Sequence, residues 1–92
     1  MQALADKDIS SVLIPADFAS IFVGRQADHI QSLGKETNTS IYLDNTEVDK
    51  EGSSMKTVYI SGNESSRKHA VELVHKFVQS QRFLGLSWFL SL

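Results

Sequence analysis

The sequence predicts an α+β domain with three strands and three helices in the order β-α-α-β-β-α, the helices covering one face of a small sheet. Three observations predict it. Ala70, Leu73, Val74, Phe77 and Val78 recur at i, i+3, i+4, i+7 and i+8, the spacing of one helical face. Residues 10–14, 40–43 and 56–60 are short runs rich in β-branched, aromatic or other apolar residues. Three such strands cannot close a barrel, so they form one sheet whose apolar face needs helices over it.

Taken in order, the first strand is Ser10-Ser-Val-Leu-Ile14, closed by Pro15, which cannot donate to a ladder. Asp17 then caps or favourably charges a helix whose apolar members are Phe18, Ile21 and Phe22. A second helix runs from about Ala27 to Thr37, with Ile30 and Leu33 inward and Gln31, Lys35 and Glu36 outward. Asn38 tolerates the left-handed conformation and ends it. Ser40–Leu43 is the second strand, and the polar, acidic stretch from Asp44 to Met55 is an exposed connection longer than a hairpin needs. Lys56–Ile60 is the third strand. Asn63 is placed as the N-cap of the last helix, with Glu64 in its first turn and its end near Gln79.

Composition bounds the function. The 92 residues are 41 % hydrophobic and 22 % charged, enough for one globular domain. Without cysteine there is no disulfide and no cysteine-based zinc site, and nothing points to an oxidising compartment. A net charge of −2 rules out a generic polycation that holds nucleic acid by counterion release, so any such binding needs shaped local contacts. No secretory h-region precedes Ser10, and the longest apolar stretch, residues 83–92, is half of the roughly 20 residues a membrane helix needs. The expected compartment is the cytoplasm or nucleus, with no membrane contact.

Residues 15–41 carry a more specific pattern. It reads Pro15, Phe18, Phe22-Val23, Gly24-Arg25-Gln26-Ala27, Ile30, Leu33, Thr37-Asn38 and Ile41, with Val58-Tyr-Ile60-Ser-Gly62 and Ala70 later on. This resembles a type I KH (K-homology) domain over about residues 10–79, and the predicted element order is the one that family has. The resemblance implies a cleft gripping about four single-stranded nucleotides, between a Gly-x-x-Gly loop and the second strand. Gly24, Arg25, Gln26 and Ala27 would then meet the sugar–phosphate backbone, where missing side chains and helix-start amides let phosphate approach. Val23, Ile30, Tyr42 and Leu43 would meet the bases.

The chain departs from the family pattern in its loop. Ala27 stands at the second glycine, where its Cβ opposes positive φ and crowds a phosphate. Ser20 stands where the family often has glycine. Between Ala16 and Leu43, Arg25 and Lys35 face Asp17, Asp28 and Glu36, so the cleft is not basic. The resemblance therefore implies either weak single-stranded RNA binding, in a larger RNA-associated protein, or a KH fold kept for contact with a protein partner.

Other chemistries find little support. His29, His69 and His75 are not at mutual helical i, i+3 or i+4 spacing, and read as surface or half-buried histidines rather than metal ligands. A calcium loop from Asp44 would want glycine sixth and glutamate twelfth, where Asp49 and Met55 stand. Asn38-Thr-Ser40 and Asn63-Glu-Ser65 read as turn and capping residues. No nucleophile–base pair, phosphate loop or paired-carboxylate pocket points to an enzyme, and no cofactor is implied.

The organisation expected is an N-terminal extension at 1–9, the KH-like domain at 10–79 and an apolar extension at 80–92. In the last, Leu84, Leu86, Trp88, Leu90 and Leu92 fall at period two, and Gly85 disfavours a helix. The segment either packs back onto the domain's own sheet or helix as an extension, or forms an interaction surface with Phe83, Leu86, Trp88 and Phe89 as candidates, for a neighbouring KH domain, another protein or a second copy of the chain.

Overall fold

A computed structural model describes the backbone of residues 8–91 and the side chains of residues 8–82. Strand β1 spans Ile9–Pro15, helix α1 Ala19–Val23, helix α2 Asp28–Thr37, strand β2 Ser40–Lys50, strand β3 Ser53–Ser61 and helix α3 Glu64–Ser91. Two 3-10 turns, Ala16–Phe18 and Arg25–Ala27, lead into α1 and α2. The sheet is antiparallel in the order β1-β3-β2, which is the α+β arrangement of a type I KH fold.

Strand parity decides the layers. Val12 pairs with Val58, and Ile60 with both Ser10 and Ile41. Val12, Ile14, Val58 and Ile60 are buried on the helix side, where they meet Phe22, Ile30, Leu33, Ala70, Val74 and Val78. Ile14, Phe22, Val58, Ile60 and Val74 are the largest fully buried side chains and form the centre of the core. On the other face no helix packs among the described residues: Tyr42 is 64 % exposed and stacks on Tyr59 at 6.4 Å between ring centroids.

Several local expectations hold. Asn63 Oδ1 accepts the Ser66 N–H at 2.9 Å, the bond of an N-cap. Arg67 then fastens the start of α3 to β1, donating from Nε to Gly62 O and from Nη1 to Ser10 Oγ, both at 2.9 Å. Asn38 ends α2 at φ 57°, and the Thr39 N–H returns to Gly34 O at 2.9 Å. Buried Thr37 closes the same end, its hydroxyl donating to Leu33 O at 2.8 Å.

Four expectations change. Asp17 makes no capping hydrogen bond; it sits in the first turn of the leading 3-10 segment, so of its two expected roles only the favourable charge at the helical start stands. Ile21 is 51 % exposed, because a five-residue helix buries only the stripe of Ala19 and Phe22. The polar stretch after Asp44 is not a loop. Instead β2 and β3 continue as a hairpin to Glu51-Gly52, whose φ values of 51° and 84° suit a two-residue primed turn. It reaches beyond the helices, so neither face needs apolar alternation and the sequence signal vanishes. Finally, the last helix does not end near Gln79 but runs through Gly85 to Ser91. One glycine costs a helix only about 1 kcal/mol. The side chains proposed there as an interaction surface, Phe83, Leu86, Trp88 and Phe89, lie outside the described ones.

Gly34 lets α2 press against the chain that follows it: a Cβ there would lie 2.8 Å from the Thr39 carbonyl oxygen. Alanine normally favours a helix over glycine by about 1 kcal/mol, yet here the clash is with backbone and overpacking of that kind costs ~1–3 kcal/mol. Gly34→Ala should therefore lower the thermal midpoint by several degrees. A midpoint that rises would show that the Thr39 segment yields freely.

Candidate nucleic-acid interface

The site begins at the corner between α1 and α2. Gly24 takes φ 82°, and a Cβ on it would lie 2.8 Å from the His29 nitrogen and 2.9 Å from its Cβ. Glycine is needed there by the fold itself. The carbonyl of Phe22, near the end of α1, accepts a hydrogen bond from His29 Nδ1 at 2.5 Å. The same imidazole packs 5.5 Å from the Phe22 ring and 5.0 Å from Phe77, so half-buried His29 ties the corner to α3.

From that corner the loop turns with Gln26 at φ 54° and Ala27 at φ 64°, both left-handed, before α2 starts at Asp28. Ala27 thus adopts the conformation that its Cβ was expected to oppose. The tight link between Gly24 and α2 imposes it, and alanine carries the smallest side chain that can bear it.

Beside the corner lies a groove of about 500 Å³. Ala19, Ser20 and Val23 of α1 form one wall, Gly24 and Ala27 the loop end, and Ile30 of α2 the floor. Ile41, Tyr42, Leu43 and Asn45 of β2 and Lys56 of β3 form the opposite wall. A second hollow of about 650 Å³ continues from Ile30 and Ile41 past Gln31 and Lys35. Because β2 is an edge strand, part of its main-chain N–H and C=O groups have no ladder partner and remain able to pair with a ligand.

The structure brings together Val23, Gly24, Ala27, Ile30 and Leu43 from the residues singled out in the sequence. Arg25 and Gln26 are exposed in the loop and do not line the groove. Tyr42 belongs to the wall as part of β2, but its register with Tyr59 sets the aromatic ring on the opposite, helix-free face. Its contribution to the groove is therefore main chain, not a stacking ring.

Ile41, Asn45 and Lys56 were missed. For two of them a signal existed: Ile41 shares parity with Leu43, and Lys56 with Val58 and Ile60, so both face the helix side. Asn45 had none, since its placement depends on an irregularity of the strand.

A small sheet with helices on one face, and a glycine corner opening onto an aliphatic groove beside an edge strand, defines a module of the single-strand-binding type. The KH domain family model matches residues 9–76, and the chain belongs to the KH family. No curated protein matches the chain. KH domains bind single-stranded nucleic acids and are a non-enzymatic, RNA-binding fold, so this chain is a nucleic-acid-binding module in kind. Among the described residues no helix is long and apolar enough to cross a membrane.

The left-handed Ala27 yields a stability test. Such a conformation costs a non-glycine residue about 1–2 kcal/mol, and glycine's extra unfolded-state entropy returns about 0.5–1 kcal/mol of that. Ala27→Gly should raise the thermal midpoint by an amount equivalent to ~0.5–1 kcal/mol. A fall would mean that the packing of this Cβ on the core outweighs the strain.

Proposed function

We propose that the groove between the Gly24–Ala27 corner and β2 binds single-stranded RNA, with modest affinity, as one KH unit of a larger RNA-associated protein in the cytoplasm or nucleus. The observation that carries this reading is the aliphatic lining of Val23, Ile30, Ile41 and Leu43 beside the open edge of β2. Flat bases fit such a floor, and an edge strand offers donors and acceptors to their Watson–Crick edges. Arg25 at the exposed loop supplies charge for the phosphates. Modest affinity follows from the net charge of −2 and from Ala27, whose methyl group occupies space that glycine would leave to the backbone of the ligand. Neighbouring KH units would raise the avidity of a single short groove.

Fluorescence anisotropy with randomised single-stranded RNA, at two salt concentrations, tests the reading. Replacing Arg25 and Gln26 together by aspartate should weaken binding by more than about tenfold through repulsion of phosphate, with the fold retained. Ala27→Gly should tighten it. Binding that survives the double aspartate variant unchanged would move the site off this loop.

A second reading rests on the length of α3. Val78 is the last buried side chain of this helix among the described ones, which end at Arg82, and the helix continues to Ser91, roughly three and a half turns beyond Val78, over a strongly apolar sequence. That end would serve association with another protein or a second copy, with Trp88 and Phe89 as anchors. Ending the chain at Gln79 should then turn a sedimenting dimer into a folded monomer of similar midpoint. A full-length monomer at tens of micromolar, as an order of magnitude, would defeat this second reading.

A further inference from the structure

The groove does not end where its aliphatic floor does. From Ile30 and Ile41 it runs on into the hollow of about 650 Å³ beside the C-terminal half of α2, and there the lining changes in kind. Gln31 and Lys35, four residues apart, share one side of α2, and Asn38 stands at its end. The facing wall is backbone. Ser40 and Ser61 pair in register and share the parity of Tyr42 and Tyr59, which turns their hydroxyls to the bare face and leaves main chain to the hollow. None of the residues lining it carries a carboxylate.

The end of α2 is held firmly beside this hollow. The Thr39 N–H returns to Gly34 O at 2.9 Å, the Asn38 N–H to Lys35 O at 3.4 Å, and the Thr37 hydroxyl to Leu33 O at 2.8 Å. These bonds matter twice. They fix one side of the hollow before any ligand arrives, which lowers the ordering cost of binding. They also occupy carbonyls of the last turn, whose negative partial charge would otherwise oppose an anion.

Amide, ammonium and main-chain groups, with no broad apolar surface among them, suit a sugar and its phosphate better than a base. An ammonium has three donors and no acceptor, and its bond to a phosphate oxygen is about twice as strong as a neutral one. The Gln31 and Asn38 amides add donors before and after Lys35 along α2. We infer that a single strand leaving the aliphatic groove continues into this hollow, where the sugar–phosphate of the adjoining nucleotides lies along α2 with a phosphate on Lys35. This rests on the groove being a single-strand site and lengthens the contact beyond the roughly four nucleotides of the cleft.

The test is anisotropy of the full chain with two labelled ligands: a randomised RNA tetranucleotide, and the same tetranucleotide carrying two abasic ribose–phosphate units at each end. The abasic units add backbone without bases, so they give the bases no new register. The extended ligand should bind about tenfold tighter, the worth of one hydrogen bond to a charged group. Its logarithmic salt slope should be steeper by about 0.7. Lys35→Gln should remove both differences between the ligands. Lys68→Gln, an equal loss of charge at a residue of α3 that lines neither hollow, should keep both. Equal binding of the two ligands by the unaltered chain, a difference that survives Lys35→Gln, or one that Lys68→Gln also removes, would overturn the inference while leaving the groove as an RNA site. If neither ligand binds, the RNA reading and this inference fall together.

Discussion

The corner between α1 and α2 has no space for a side chain at Gly24, and the rest of the site depends on that closeness. A Cβ there would lie within 3 Å of both the backbone and the side chain of His29. His29 answers the carbonyl of Phe22 with its ring nitrogen and wedges its ring against Phe22 and Phe77. One residue thus joins the end of α1, the start of α2 and the packed face of α3. Because the corner is fixed by the core, the direction of the loop and the position of Ile30 beneath the groove are fixed with it. The left-handed pair Gln26 and Ala27 follows as a geometric consequence, since the chain must reverse within three residues to begin α2.

The second constraint is the order of the sheet. With β3 central, its inward residues Val58 and Ile60 are fully buried, and β2 is left at the edge beside α2. Parity then divides β2 between two environments. Ile41 and Leu43 turn to the helices and the groove, whereas Tyr42 turns to the bare face and stacks on Tyr59. The strand can line a groove with aliphatic side chains and still keep part of its main chain unpaired. Lys56 arises from the same alternation: it continues the inward row of Val58 and Ile60 past the cover of the helices, where a charge can be solvated.

Much of this was legible in the sequence where burial imposes a period. The last helix, the α2 stripe of Ile30 and Leu33, the Asn38 and Asn63 caps and the three strand cores all carry a physical signature that one chain suffices to show. The hairpin beyond Asp44 was not legible, because strands exposed on both faces need no alternation and resemble a polar loop. Ile21 misled for the opposite reason: an apolar residue on a five-residue helix matches a helical spacing without being buried. Tyr42 shows a third limit. Its position beside the groove was correct, but only cross-strand register tells which face its ring occupies. Asn45 depends on a bulge, which leaves no mark in composition or period.

Charge and shape share the site unequally. Arg25, Lys35 and Lys56 are the cations near the groove, and Asp28 stands in the first turn of α2, where its carboxylate offsets the positive end of the helix. Phosphate contacts from Arg25 and Lys35 would give single-strand binding a logarithmic salt slope of only about −1.4. Most of the binding energy would have to come from apolar contact between bases and the floor, and from hydrogen bonds at the edge of β2, neither of which salt screens strongly. In such a groove a cation contributes more by where it is aimed than by adding to a general field. Arg25 stands free in the loop and can follow a phosphate wherever it lies. Lys56 leaves β3 on the groove side by strand parity, so its charge acts at one end of the groove rather than along the loop.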